Sequence, residues 1–426
     1  MAKTDFGAAA AADRPLVVTY RDAASLKPDP NNARTHPRRQ IEQIKASIEE
    51  FGFANPILID QAGRIIAGHG RLIAAKELGM TEFPTIALDK LDEAQVRALR
   101  IADNKIALGA GWDVDLLKAE LADLSELDLD LTVTGFTTGE IDVLLEGESD
   151  PADDEVPAAP ETPRTKPGDV WQLGDHRVAC GDCRDVDFLR RVLGAGEVVD
   201  AAFLDPPYNV KINGHANARG RHREFAMASG EMTDAEFQTF LKETLGACAN
   251  VSKPGAVHFV CMDWRHMHDV TTVGEGIYGA LLNLCIWNKS NGGMGSLYRS
   301  KHELVFVYRV GDAPHFNAVE LGQHGRYRTN VWDYASVNAG AGSRRDELEM
   351  HPTVKPSALV ADAIRDVTRR GEIVLDTFLG SGTTLIAAER AGRRFRGTDI
   401  DPLYVDLAVK RWEDLTGQAA TLAEKE

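Results

Sequence analysis

Apolar residues recur at helical spacing at Ile41, Ile44, Ile48 and Phe51 and stop at Gly52, which predicts a helix ending there. Residues 56–60 (PILID) and 63–68 (GRIIAG) predict two short strands across a turn, and residues 70–79 (GRLIAAKELG) predict a helix closed by Gly79. These positions read as the core of a small α/β module over residues 16–112. From Gly168 onward the pattern changes to strands alternating with helices, which predicts a mainly parallel, doubly wound sheet. Two of those strands matter most. Residues 198–204 (VVDAAFL) form a buried-strand run ending at Asp205, and residues 372–378 (EIVLDTF) form another, followed by Gly380-Ser381-Gly382, a helix over 383–391 and a further strand over 393–399 that ends at Asp399.

A length of 426 residues fits two or three domains. With 43% hydrophobic and 27% charged residues and no apolar run of about 18, a globular protein without a membrane span is expected. The first fifteen residues, MAKTDFGAAAAADRP, have no long apolar stretch and read as a flexible tail, as do residues 418–426 at the other end. Five thinly spread cysteines argue against a disulfide framework, and a cytoplasmic location is expected. The net charge of −17 argues against a nucleic-acid partner only until its distribution is considered. Residues 113–161 hold sixteen acids and one base, Lys118, and so carry nearly all of the excess. The end of this stretch (GESDPADDEVPAAPETPRTKPG) has the composition of a self-repelling, extended linker, so residues 113–165 are expected to separate two domains.

Core packing does not account for SLKPDPNNARTH, the basic pair Arg38-Arg39 or Gly68-His69-Gly70-Arg71. Glycines ahead of a helix let backbone amides approach an anion, and Arg71 adds a planar fork for phosphate; a plain structural turn is the competing reading. The order of the segment, from Pro30-Asn31-Asn32-x-Arg34 through Phe51-Gly52 and the Pro-Ile strand to Ala67-Gly68-His69-Gly70-Arg71, resembles the ParB-like nuclease/partition family. The resemblance implies a nucleotide-binding, DNA-clamping module. His69 and Gly70 stand where that family has Glu and Arg, so only Gly68 and Arg71 carry over as an anion site.

In the second half, glycines at the first turn let the chain pass beneath a ligand, and Asp399 can accept both hydroxyls of a ribose. The glycines match neither the three-glycine dinucleotide pattern nor a P-loop, which favours a ribose without pyrophosphate. Asp205-Pro206-Pro207-Tyr208 sits at the carboxyl end of its strand. Prolines 206 and 207 have no N–H, so what remains are two acceptors, the Asp205 carboxylate and the Pro206 carbonyl, with Tyr208 offering a stacking face. Such a set suits an exocyclic amine.

These residues resemble the S-adenosylmethionine-dependent amino-methyltransferases of DNA in which Asp-Pro-Pro-Tyr precedes Phe-x-Gly-x-Gly. The resemblance covers residues 166–417 and includes His351-Pro352-Thr353-x-Lys355-Pro356 and Gly397-Thr398-Asp399. It implies a Rossmann-like domain with S-adenosylmethionine held by Asp376, Phe378, Gly380, Gly382 and Thr383, its ribose on Asp399, its adenine facing Asp182 and its methionine end near Lys355 and Pro356. It also implies base flipping, a lid over about 209–232, target recognition over about 310–350, and adenine N6 rather than cytosine N4 as the target, because Asp leads the motif. Cys180-x-x-Cys183 has no second pair at ligand spacing, so no metal is expected. Lys211, Arg219, Arg221 and Arg223, then Lys289, Arg299 and Lys301, then Arg326, Arg328, Arg344 and Arg345 are the candidate contacts to double-stranded DNA. RNA or protein amino-methylation, and a non-enzymatic ParB-like DNA-binding factor, are the alternative functions. A homodimer and a cognate nuclease are left open.

Overall fold

The computed structural model describes residues 16–125, 127, 129–145, 151–157, 160, 162–210, 230–290, 292, 297–319, 328–336 and 354–423. The expected tail over 1–15 lies outside them. Two compact units divide the chain, one reaching Leu145 and the other starting at Glu146.

The first unit runs β1 (Val18–Asp22), α1 (Arg38–Phe51), β2 (Ile57–Ile59), β3 (Ile65–Ala67), α2 (His69–Glu77), β4 (Glu82–Ala87), α3 (Glu93–Ala107), α4 (Val114–Ser125) and α5 (Thr138–Leu145). Its sheet has the order β1-β4-β2-β3, with β2 antiparallel to β3 and parallel to β4. Leu26, Ile57, Ile59, Ile65, Leu72, Ala75 and Phe83 form the core. The apolar positions of α1 divide: Ile41 is buried, whereas Phe51 at the helix end is exposed. The acidic stretch is not an extended linker. Its first part forms α4 and α5, whose Leu121 and Ile141 pack with Leu131 into a small core, and Gly135 accepts a bond from Gln43 of α1 at 2.6 Å.

The second unit runs β5 (Val170–Leu173), β6 (His176–Cys180), α6 (Val186–Leu193), β7 (Val199–Leu204), α7 (Asp234–Asn250), β8 (Ser252–Met262), α8 (Met267–Glu275), β9 (Ala280–Asn288), β10 (His302–Arg309), β11 (Val331–Asp333), α9 (Ser357–Val367), β12 (Ile373–Asp376), α10 (Thr383–Ala391), β13 (Arg394–Asp399), α11 (Pro402–Thr416) and β14 (Thr421–Leu422). One sheet joins its strands in the order β11-β9-β10-β8-β7-β12-β13-β6-β5-β14. Strands β8, β7, β12, β13 and β6 are parallel neighbours, and the flanks are largely antiparallel. From β7 the chain moves outward to β8, and from β12 it moves the opposite way to β13. The order therefore reverses between β7 and β12, which opens a crevice at their carboxyl ends. The fold is α/β and Rossmann-like. Residues 418–426 are not simply a tail: β14 pairs antiparallel with β5, and Ala423 donates to the Val170 carbonyl at 2.8 Å, satisfying an otherwise open sheet edge.

Described residues from the rest of the expected linker, in 151–157 and 162–165, also dock. Asp153 is buried and takes Arg390 in a forked pair at 2.7 and 3.0 Å, while its backbone carbonyl accepts from the buried Arg411. Asp154 accepts the amide of Ser357 at 2.8 Å, at the start of α9. Asp406 of α11 accepts the amides of Arg164 and Thr165 at 2.5 and 3.2 Å. Arg390, far along the chain, neutralises Asp153, one of the acids that composition alone reads as repelling one another.

Candidate functional site

Strand β7 delivers Asp205-Pro206-Pro207-Tyr208 into the crevice. Tyr208 donates to Asp205 Oδ1 at 2.7 Å, and its hydroxyl also lies 3.2 Å from Glu303 Oε2. Lys355 is buried beside them. Its Nζ lies 2.5 Å from Asp205 Oδ2, 3.2 Å from Glu303 Oε2 and 3.3 Å from the Tyr208 hydroxyl. Glu303, buried at the start of β10, also pairs with Lys289 at the end of β9. Burial alone would raise the Glu303 carboxyl, but Lys355 and Lys289 outweigh it and hold the group below the usual carboxylate range. Burial raises the Tyr208 phenol well above its ordinary value, and Asp205 and Glu303 add to the effect, so it remains a donor. Asn209, next in the chain, has a left-handed backbone with φ 51°. Its side chain donates to the Met232 carbonyl at 2.9 Å and accepts from Gly230 at 3.1 Å, which ties together the two ends of the segment expected as a lid. Residues 211–229 lie outside the described residues.

The neighbouring strands supply the glycine turn. Asp376 ends β12 and accepts from Phe378 N at 2.9 Å and Thr384 Oγ1 at 2.6 Å, which pins both sides of the turn. Gly382 caps α10 with φ 83°, and a Cβ there would meet Ala408 at 2.8 Å, so only glycine lets α10 and α11 approach this closely. A Cβ at Gly380 would meet nothing closer than 3.8 Å, leaving the backbone of the turn approachable from the crevice. Asp399 accepts Gly380 N at 3.0 Å on Oδ2 and Asp401 N at 2.9 Å on Oδ1, and the Ile400 amide also bonds its carboxylate. Burial pushes both Asp376 and Asp399 up to about 7.

Residues 199–410 match the DNA methylase family, residues 16–105 the ParB N-terminal domain, and residues 115–167 the ParB-methyltransferase HTH domain. Type II methyltransferase M2.DpnII of Streptococcus pneumoniae is 28% identical over 231 residues, covering 51% of this chain and 83% of that protein. The ParB-like nuclease domain-containing protein YnaK of Escherichia coli K12 is 48% identical over 80 residues, 19% of this chain and 92% of that protein. The M1.HpyAVI–SAM complex is a solved structure 22% identical to the chain, covering 55% of it and 97% of that structure, with a TM-score of 0.41. The chain is an N6/N4 DNA methyltransferase with an N-terminal ParB domain. Its methyl donor is S-adenosylmethionine.

The crevice of this methyltransferase suits that donor. Asp399 holds its carboxylate at the carboxyl end of β13, where ribose hydroxyls could donate to it, and the Gly380 turn leaves room beside it. Asp182, expected to face the adenine, follows β6 on the same edge of the sheet. It is half-exposed and held by Arg184 at 2.7 to 3.1 Å, which keeps its carboxyl below the usual range. Lys355, expected near the methionine end of the cofactor, has its ammonium on Asp205 and beside the Tyr208 hydroxyl, at the Asp-Pro-Pro-Tyr turn.

Of the basic residues expected on DNA, two are already engaged within the protein. Lys289 pairs with buried Glu303 and stands 4.7 Å over the Trp287 ring. Arg328 pairs with Asp366 at 2.7 Å and Asp362 at 3.0 Å and covers Trp332, which anchors the insertion to α9. Arg299 and Lys301 are exposed. Lys211, Arg219, Arg221, Arg223, Arg326, Arg344 and Arg345 lie outside the described residues, as do His351, Pro352 and Thr353.

In the ParB domain Gly68 caps α2 with φ 103° and no side-chain partner. With His36, His69, Arg71, Asp103 and Asn104 it lines a cavity of about 150 Å³. His69 Nε2 accepts the Asp29 amide at 3.3 Å, and burial lowers its imidazole, so it is a neutral acceptor here. Arg38, of the basic pair, engages Glu42 and Glu77 at 2.5 and 2.8 Å.

Proposed function

We propose that this DNA methyltransferase acts on adenine N6 of a base flipped out of the duplex. The observation that carries the reading is the convergence of the Asp205 carboxylate and the Asp399 carboxylate on one crevice, the first at the carboxyl end of β7 and the second at that of β13. A target amine inside the helix cannot reach Asp205 without unstacking, at a cost of a few kcal/mol. When bound, S-adenosylmethionine supplies a methyl group on an electrophilic sulfonium. Asp205 and the Pro206 carbonyl accept the two N–H bonds of the amine and so aim its lone pair at that carbon. With the donor bound, the N–C bond would form as the S–C bond broke with its electron pair kept by sulfur, and the Asp205 carboxylate or water would take the surplus proton from nitrogen. Tyr208 keeps its proton and fixes the Asp205 rotamer. The Asp that leads the Pro-Pro-Tyr motif is the feature that favours adenine here, by resemblance to adenine enzymes.

In this reading Asp399 holds the ribose, and the hydroxyl donors favour its ionised form. Because burial sets both Asp399 and Asp376 at about 7 in the folded protein, above the ordinary 3.8, the folded state retains protons that the unfolded chain has released. Their contribution to stability is full below about pH 4 and is lost as the pH rises to about 7. Cofactor binding at pH 7 should then release roughly half a proton from Asp399. Calorimetry in two buffers of different ionisation enthalpy measures this. Asp399→Ala should abolish the release and weaken cofactor affinity by about 1.5 to 3 kcal/mol. Unchanged affinity with no proton release in the wild type would move the ribose elsewhere.

We also assign Arg299 and Lys301, at the exposed approach to β10, to phosphate contact. Replacing Lys301 by Ala should weaken binding to all sequences alike and reduce the salt slope by about one unit. A change in sequence preference instead would make it a base reader.

A further inference from the structure

We propose that Glu303 is a positioning residue for the methyl-transfer step: by sharing Lys355 with Asp205 and pairing with Lys289, it keeps the amine clamp electrically neutral and leaves Asp205 able to accept from the target. The inference rests on reading Asp205 as that clamp. Four charged groups meet at the floor of the crevice, Asp205 and Glu303 against Lys289 and Lys355. Their charges cancel. Both Glu303 and Lys355 are 5% exposed or less, so little solvent screens the balance. The Lys355 ammonium has two carboxylate partners, Asp205 Oδ2 at 2.5 Å and Glu303 Oε2 at 3.2 Å, and it also donates to the Tyr208 hydroxyl at 3.3 Å.

Remove the Glu303 charge and two consequences follow from the same geometry. Lys355 is left with Asp205 as its only carboxylate among these four groups and competes more strongly with the amine for that acceptor. The floor also becomes net positive, opposite a sulfonium and a nitrogen that gains positive charge as the N–C bond forms, so the transition state is disfavoured more than the bound cofactor. Nothing in this requires Glu303 to touch the substrate. It acts through Lys355 and through Tyr208, whose hydroxyl lies 3.2 Å from Oε2.

The test measures turnover and the cofactor KM for Glu303→Gln, Glu303→Asp, the double variant Glu303→Gln/Lys289→Met, and Asp205→Ala as reference. Glu303→Gln should lower kcat by at least about tenfold with the cofactor KM within about threefold of wild type. The double variant restores neutrality and should regain most of that loss, and Glu303→Asp, which keeps the charge, should stay within about fivefold of wild type. A residue needed only for packing gives no such recovery. Glu303→Gln turning over within twofold of wild type, or a double variant no faster than the single, overturns the proposal. If Glu303→Gln fails to fold, the comparison of Glu303→Asp with the neutral double variant decides it, since a charge role keeps both active and a packing role loses the double. Asp205→Ala separates the two layers: normal turnover there removes the clamp itself, whereas an inactive Asp205→Ala beside a normal Glu303→Gln removes only the role of Glu303.

Discussion

Asp205→Ala should lower turnover by at least about a hundredfold while leaving S-adenosylmethionine affinity within a few-fold of wild type. The carboxylate is preorganised before any substrate arrives: Tyr208 fixes Oδ1 at 2.7 Å and Lys355 fixes Oδ2 at 2.5 Å. An acceptor held in place at the crevice costs no reorganisation during the reaction, and losing one such group typically removes about 3 kcal/mol of transition-state stabilisation. The glycine turn and Asp399 belong to β12, α10 and β13 and make their hydrogen bonds without Asp205. The loss should therefore appear in kcat and not in cofactor binding. Single-turnover transfer of a labelled methyl group, with calorimetry of the cofactor, separates the two. Equal losses in both would mean that the substitution unfolds the crevice.

A chain beginning at Pro163 should be markedly less stable than one beginning at residue 146, and should bind cofactor more weakly. The shorter chain lacks Asp153 and Asp154. Arg411 would lose its bond to the Asp153 carbonyl inside the protein, Arg390 its forked carboxylate, and the Ser357 amide its acceptor at the start of α9. The Arg411 bond alone is worth about 1.5 to 3 kcal/mol as a hydrogen bond to a charged group. Arg411 also donates to the Ser381 carbonyl at 3.1 Å and approaches Thr383 Oγ1 at 3.4 Å, so the cofactor turn shares the damage. Thermal unfolding with and without S-adenosylmethionine checks this. Identical melting temperatures and affinities would return residues 151–157 to the status of a linker.

The catalytic strand was legible because seven largely apolar residues ending in Asp-Pro-Pro-Tyr leave few alternatives, and Asp399 because a glycine turn and a following strand fix its place. Glu303 was not. One acid ahead of LVFVY reads as a solvated strand start, and its partners Lys289 and Lys355 lie 14 and 52 residues away in sequence. Lys289 and Arg328 show the complementary error, since clustering of cations in sequence says nothing about the carboxylates that strand pairing and helix packing bring to them. Charge counting also failed for residues 113–161. The stretch is acidic, yet its leucines space two helices and a small core, and its Asp153 meets Arg390 and Arg411 more than 230 residues on. The HTH-matching segment, residues 115–167, holds three bases, Lys118, Arg164 and Lys166, and Arg164 lies 3.7 Å from Asp406 and 3.5 Å from Glu413.

The most direct test of the account is nucleoside mass spectrometry of duplex DNA after incubation with the full chain and labelled S-adenosylmethionine. Wild type should deposit the label as N6-methyladenine, and Asp205→Ala, still binding the cofactor, should deposit almost none. Label on C5 of cytosine, or undiminished N6-methyladenine from Asp205→Ala, would contradict the amine clamp at β7.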